Sequence, residues 1–292
     1  MSVIIECRDL SKSFKKTEAL KNINLNIKEN KIYGLIGRNG AGKTTLLHTL
    51  TGQYLKDKGE INIFGEEVFE NRNVLDRICF VKDNEFPLED YKVKDIFRFS
   101  EVFYDNWDNE FKDRLIKEFE ININKKYKSL SRGMKTSVAI IIGFASRAPI
   151  TIFDEPSLGL DAVMRDKFYN LLLEDYQENK RTIILSTHLI DEISNVLEEI
   201  IIIDRGQIIL NENIEELMEK AHYISGNESE ILKIIENKNI LYKESFGSTS
   251  IVMIFDELNE DEKRKLRESN IEISRVPLQK LFIHFTNSKE VN

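Results

Sequence analysis

The sequence predicts an α/β protein with a mostly parallel core sheet and a small α+β appendage at its C-terminal end. Three observations predict it. Between about residues 134 and 204, short apolar strands alternate with helical segments, the order of a parallel sheet with crossover helices. The run IYGLI at 32–36 is apolar on both faces, as a covered central strand must be, and it leads into a glycine-rich loop and a helical run. Past about residue 210 Glu and Lys dominate and the alternation gives way to a shorter mixed order.

Taken in order, 3–7 and 23–27 (INLNI, strict alternation) read as half-buried strands, and 59–68 as a hairpin turning at Gly65. From 91 to 120 the period becomes helical, with Val93, Ile96, Phe97, Val102, Phe103, Phe111, Leu115 and Phe119 recurring near 3.6 residues. Helices are then expected at 134–147, 165–176 and 190–196, and strands at 150–153, 182–185 and 200–204. The tail reads as helix, strand (240–242), strand (250–255), helix (260–268) and a last extended piece at 271–274. The expected domains are 1–215, with a helical subdomain at about 88–147, and 216–292.

Composition bounds the function. The 292 residues are 41% hydrophobic and 32% charged, an ordinary globular balance, and are enough to bury a core without staples. A formal net charge of −8 argues against a nucleic-acid binder working by overall positive charge. Two cysteines, Cys7 and Cys79, can build neither a disulfide framework nor a zinc site, so a reduced cytoplasmic setting is expected. No apolar run approaches the roughly 18–20 residues of a membrane span, and the charged start does not read as a signal peptide.

The chemistry is in the motifs. Gly37-Arg38-Asn39-Gly40-Ala41-Gly42-Lys43-Thr44 satisfies G-x-x-x-x-G-K-[ST] between a strand and a helix, and Thr45 continues it. Such a loop turns backbone N–H groups onto phosphate oxygens at a helix N-terminus, Lys43 reaches the β- and γ-phosphates, and the Thr44 hydroxyl ligates Mg²⁺. A second apolar strand ends in Asp154-Glu155, delivering acids to the carboxyl edge of the sheet. Asp154 suits Mg²⁺ through water, and Glu155 suits the general base that polarises an attacking water.

With these in place the chain resembles the ATP-binding cassette (ABC) family over about residues 3–220, specifically the detached nucleotide-binding subunits, and its closing run VPLQKLFIHF at 276–285 is similar to the end of those serving ABC-2-type membrane subunits. Leu130-Ser131-Arg132-Gly133-Met134 stands at the spacing of the LSGGQ signature, Ser157-Leu158-Gly159-Leu160-Asp161 looks like the D-loop, and His188 sits where the switch histidine belongs. Phe14 matches the aromatic that stacks on adenine. The resemblance implies the P-loop ATPase fold of ABC type, with an N-terminal antiparallel β subdomain and an inserted helical subdomain. It also implies ATP and Mg²⁺ as cofactors. Two chains would sandwich two nucleotides, with Ser131 and Gly133 of one facing the γ-phosphate held by the other. The implied partners are a second ABC ATPase chain, identical or not, and a membrane permease on whose cytoplasmic face the subunit works; no nucleic acid is expected.

Two departures stand out. The signature carries Arg132 and Met134 where the family has Gly and Gln, and the Q-loop glutamine falls near Asp83, which could approach Mg²⁺, or near Asn84. The aromatics Phe97, Phe99, Phe103, Tyr104 and Trp107 form either a small helical core or part of a groove for a permease helix. Other classes fit less well. A mechanoenzyme would carry coiled coils or paired cassettes, and a P-loop kinase or GTPase leaves LSRGM and His188 unexplained. A nucleotide-gated sensor is compatible with the altered signature.

Overall fold

The computed structural model describes residues 2–82, 89–247 and 249–287. The chain divides into two compact units, 1–189 with 195–211, and 190–194 with 212–292.

In the first unit, β1 (Val3–Phe14) and β2 (Thr17–Lys28) form an antiparallel hairpin, extended by β4 (Lys58–Ile63) and β5 (Glu66–Glu67) in the order β2-β1-β4-β5. Alternation does the sorting: Ile5, Cys7, Ile23, Leu25, Ile27, Ile61 and Ile63 all point to the buried side. The strands run further than the sequence pattern suggests because their ends, such as Ser13–Phe14 and Thr17–Glu18, pair although they are exposed and carry no apolar alternation.

The core sheet has the order β10-β9-β3-β8-β7-β6 among the described residues. Here β3 is Ile32–Ile36, β6 Ile78–Lys82, β7 Ile150–Asp154, β8 Thr182–Thr187, β9 Glu199–Asp204 and β10 Gln207–Asn213. The pairs β3–β8, β3–β9, β6–β7 and β7–β8 are parallel. The β9–β10 connection is a two-residue turn with both φ positive, 48° at Arg205 and 81° at Gly206, which matches the twist of a hairpin. Helix α1 (Lys43–Leu50) buries Leu46, Leu47 and Leu50 in one apolar cluster with the inner faces of both sheets.

After α2 (Arg72–Leu75), the expected helical stretch of 91–120 is two helices, α3 (Val93–Phe103) and α4 (Asn109–Glu118). Asp108 breaks it: its carboxylate accepts the Phe111 N–H at 2.8 Å and starts α4 afresh. Of the aromatics there, Phe97 is core, whereas Phe103 is 72% and Phe99 38% exposed. Helices α5 (Arg132–Ala145) and α6 (Ala162–Glu178) pack on β7 through Phe144, Phe153 and Phe168, with ring centroids 5.6–5.8 Å apart. Ser131 and Asp161 cap them, accepting the N–H of Met134 at 3.3 Å and of Met164 at 2.9 Å.

The second unit holds α7 (Ile190–Ile193), shorter than the helix expected over 190–196, and α8 (Ile214–Lys220). Its sheet joins β11 (Ala221–Gly226), β12 (Ile240–Phe246), β13 (Thr249–Phe255) and β14 (Glu272–Arg275) in the order β12-β13-β11-β14. Helices α9 (Glu228–Ile234) and α10 (Glu260–Glu268) share one apolar cluster with Ile224, Val252, Ile254 and Ile271. The tail pattern misses β11, whose AHYISG mixes polar and apolar residues, and the closing helix α11 (Leu278–Asn287). No helix among the described residues is long and apolar enough to cross a membrane.

Candidate functional site

The motifs meet at the carboxyl ends of three adjacent parallel strands, β3, β8 and β7. There the chain leaving β3 starts the glycine-rich loop, β8 ends two residues before Leu189, and β7 ends in Asp154. Gly42 is the N-cap of α1 with φ +114°, and a Cβ there would stand 2.8 Å from the Ala19 carbonyl. Only glycine turns the loop this way, and it leaves the first N–H groups of α1 without a side-chain cap. Such uncapped donors at a helix N-terminus are an anion site.

Lys43 opens the helix and is 7% exposed, with Nζ donating to the Gly37 carbonyl at 2.6 Å. Burial pushes its pKa below the ordinary lysine value, opposed by the carboxylates of Glu155 and Asp154. Next to it the Thr44 hydroxyl donates to Asp154 Oδ2 at 3.3 Å, while Asp154 Oδ1 is buried with no hydrogen-bond partner. A hydroxyl and an orphaned carboxylate oxygen side by side are the hard oxygen donors Mg²⁺ takes. Among the described residues no cluster of three or more His, Cys, Asp or Glu could cage a metal.

Glu155 is placed by backbone strain. It has φ +51°, rare outside glycine, and its N–H donates to the Ser186 carbonyl at 2.9 Å, extending the β7–β8 ladder by one bond. The turn aims its carboxylate along β8, where His188 Nδ1 lies 2.9 Å from Oε2 and Lys43 Nζ 3.9 Å from Oε1. Thus Lys43, Thr44, Asp154, Glu155 and His188 come together as one constellation.

The remaining candidates lie on other pieces. Ser131 caps α5, and Gly133 sits against the Gly159 carbonyl, which a Cβ would approach to 2.8 Å. Phe14 ends β1 and is 42% exposed, its ring edge-on to Tyr54 at 5.2 Å with the Lys12 ammonium 5.3 Å from its centroid. Asp57 holds that hairpin end by accepting the Ser13 N–H at 2.6 Å and pairing with Lys12 at 3.0 Å. Tyr54 and Asp57 escape sequence reasoning because they follow α1 with no motif of their own; the strand pairing is the only signal. Asp83 and Asn84 lie outside the described residues.

Comparison with known proteins gives the family. The family model described as "ABC transporter" matches residues 20–158. The chain is 28% identical over 266 residues to the ABC transporter ATP-binding protein YtrB of Bacillus subtilis (strain 168), covering 91% of each. It is 30% identical to the zinc uptake system ATP-binding protein ZurA of Listeria innocua, over 80% of this chain and 93% of that one. Among solved structures, cbiO1 of Clostridium perfringens, described as part of the ABC transporter complex cbiONQ, superposes with a TM-score of 0.61. That match has 27% identity and covers 81% of this chain and 96% of the other. The chain therefore belongs to the ABC transporter family, as an ATP-binding subunit whose ATPase activity energises a membrane permease.

Proposed function

We propose that this chain hydrolyses MgATP with Glu155 as general base, in a closed pair of cassettes, and that the cycle drives a separately folded permease. The observation that carries this reading is the Glu155 carboxylate held between His188, at 2.9 Å, and Lys43, at 3.9 Å, at the edge of the phosphate loop. The loop of Gly37, Asn39, Gly40, Ala41, Gly42, Lys43, Thr44 and Thr45 holds the phosphates by backbone N–H groups and the Lys43 ammonium. Thr44 and Asp154 would hold Mg²⁺, which supplies charge neutralisation on the phosphoryl group. Glu155 orients and deprotonates water, and His188 stabilises that carboxylate and lies where it can meet the γ-phosphate. Phe14 offers its exposed face to the adenine, braced from the edge by Tyr54.

Ser131 and Gly133 serve the nucleotide bound by the second cassette, identical or not, which makes nucleotide-dependent dimerisation the power stroke. The exposed Phe99, Val102 and Phe103 on α3 form an apolar strip suited to a cytoplasmic helix of the permease, so the subunit works at the membrane's cytoplasmic face. The second unit is assigned a regulatory role. It contains α7, which begins two residues after His188 and packs with the terminal helix α11.

Glu155→Gln tests the reading. ATP affinity should stay within about threefold, turnover should fall by about 10²–10⁴-fold, and MgATP should accumulate a closed pair by light scattering. Turnover near the wild-type rate would remove Glu155 from the role.

A further inference from the structure

Arg132 takes the place of a glycine in the signature, and its side chain lies on the loop that follows Glu155. Gly159, in that loop, has φ +88°. Arg132 Cγ, Cδ and Nε stand 3.0, 3.1 and 3.3 Å from where a Cβ on Gly159 would be. The stem of Arg132 therefore covers the bare backbone of Gly159. Two further contacts join the same pieces. Thr136 Oγ1, one turn into α5, shares its proton between the Arg132 carbonyl at 3.1 Å and the Leu158 carbonyl at 3.2 Å, and Gly133 abuts the Gly159 carbonyl. Leu158 N–H in turn donates to the Glu155 carbonyl at 3.0 Å. A continuous run of contacts thus leads from the signature end of α5 to the residue whose carboxylate faces His188.

We propose that Arg132 is a positioning residue whose aliphatic stem clasps Gly159 and fixes the segment 157–161 on the N-terminus of α5. A left-handed glycine is the freest point of a loop, and glycine at 132 would leave it uncovered. Two stem carbons laid along it, Cγ and Cδ, with the guanidinium Nε beyond them, exclude water and bar the alternative backbone conformations, a packing use of an arginine stem that does not depend on its charge. The clasp makes the signature and the Glu155 turn move as one piece. When the signature of one chain engages its partner's nucleotide, the Glu155 of that same chain is drawn to its working position. This consequence rests on the reading above, in which Glu155 is the base and Ser131 serves the partner's site.

Hydrogen exchange on the nucleotide-free chain tests the clasp, and steady-state ATPase kinetics test its effect. Arg132→Gly should speed amide exchange in 157–161 about tenfold. It should lower kcat about tenfold with the KM for ATP unchanged, the sign of lost coupling rather than lost binding. Arg132→Met, which keeps the stem and drops the charge, should hold exchange and kcat within about threefold of the parent. Unchanged exchange in Arg132→Gly overturns the proposal, and so does an equal loss in Arg132→Met, which would assign the effect to the guanidinium. Failure of the underlying reading would look different: wild-type chain that exchanges slowly in 157–161 yet loses no turnover in Glu155→Gln.

Discussion

Lys43 shows how the site sets function against stability at a single residue. Its ammonium is taken from water into the loop and bonded to the Gly37 carbonyl, and burial lowers its pKa, so the charged form is less comfortable folded than in solvent. The charge is worth keeping only for a polyanionic ligand. Lys43→Met should therefore melt at or above the wild-type temperature without nucleotide, while ATP affinity falls about 10- to 100-fold, the worth of a charge-assisted hydrogen bond. Calorimetry and equilibrium nucleotide binding measure the two arms. A drop in Tm beyond about 5 °C would show that the bond to Gly37 is structural. Glu155 follows the same pattern, since its φ of +51° costs backbone energy and yields the approach to His188.

Among elements, α4, α5, α6 and β8 are joined by a network of charges beside the aromatic contacts of Phe111, Phe144 and Phe168. Asp175, 2% exposed on α6, pairs with Arg147 and, at 2.7 Å, with Arg181; Arg147 also pairs with Asp108, the cap of α4, at 2.8 Å. Asp175→Asn would leave two largely buried guanidinium groups short of a counter-charge. It should cost about 3–5 kcal/mol in urea unfolding, and a loss below about 1 kcal/mol would mean that water already shares those charges. Nothing in the sequence announces this network, because Asp108, Arg147, Asp175 and Arg181 have no common spacing; only packing brings them together. Strands 32–36, 150–153 and 182–185 were legible because each is a largely apolar run, and the phosphate loop because its fixed positions are local. The break at Asp108 and strand β11 were not. A capping side chain within a helical period, and a strand whose burial is decided by neighbours far along the chain, leave no periodic trace. The meeting of Glu155 with His188 follows from the β7–β8 register, in which Asp154 stands opposite Ser186, and needed the structure to be seen.

At the scale of the molecule, the chain contains two cores and passes between them three times, since 190–194 belongs to the second unit although β9 returns to the first. The first unit carries the whole phosphate constellation; the second has its own apolar cluster of Ile224, Ile231, Ile235, Val252, Ile254, Leu258, Leu266 and Ile271. Binding stabilises only the structure that forms the site, so MgATP acts on the first core by mass action. At about 100 times its Kd the gain is about 2.7 kcal/mol. Denaturant unfolding should accordingly resolve two transitions. The one reported by Trp107, in the first unit, should move upward with MgATP, while exchange protection of β11 and β13 holds its midpoint. If both probes shift together by the same amount, the second core unfolds with the first.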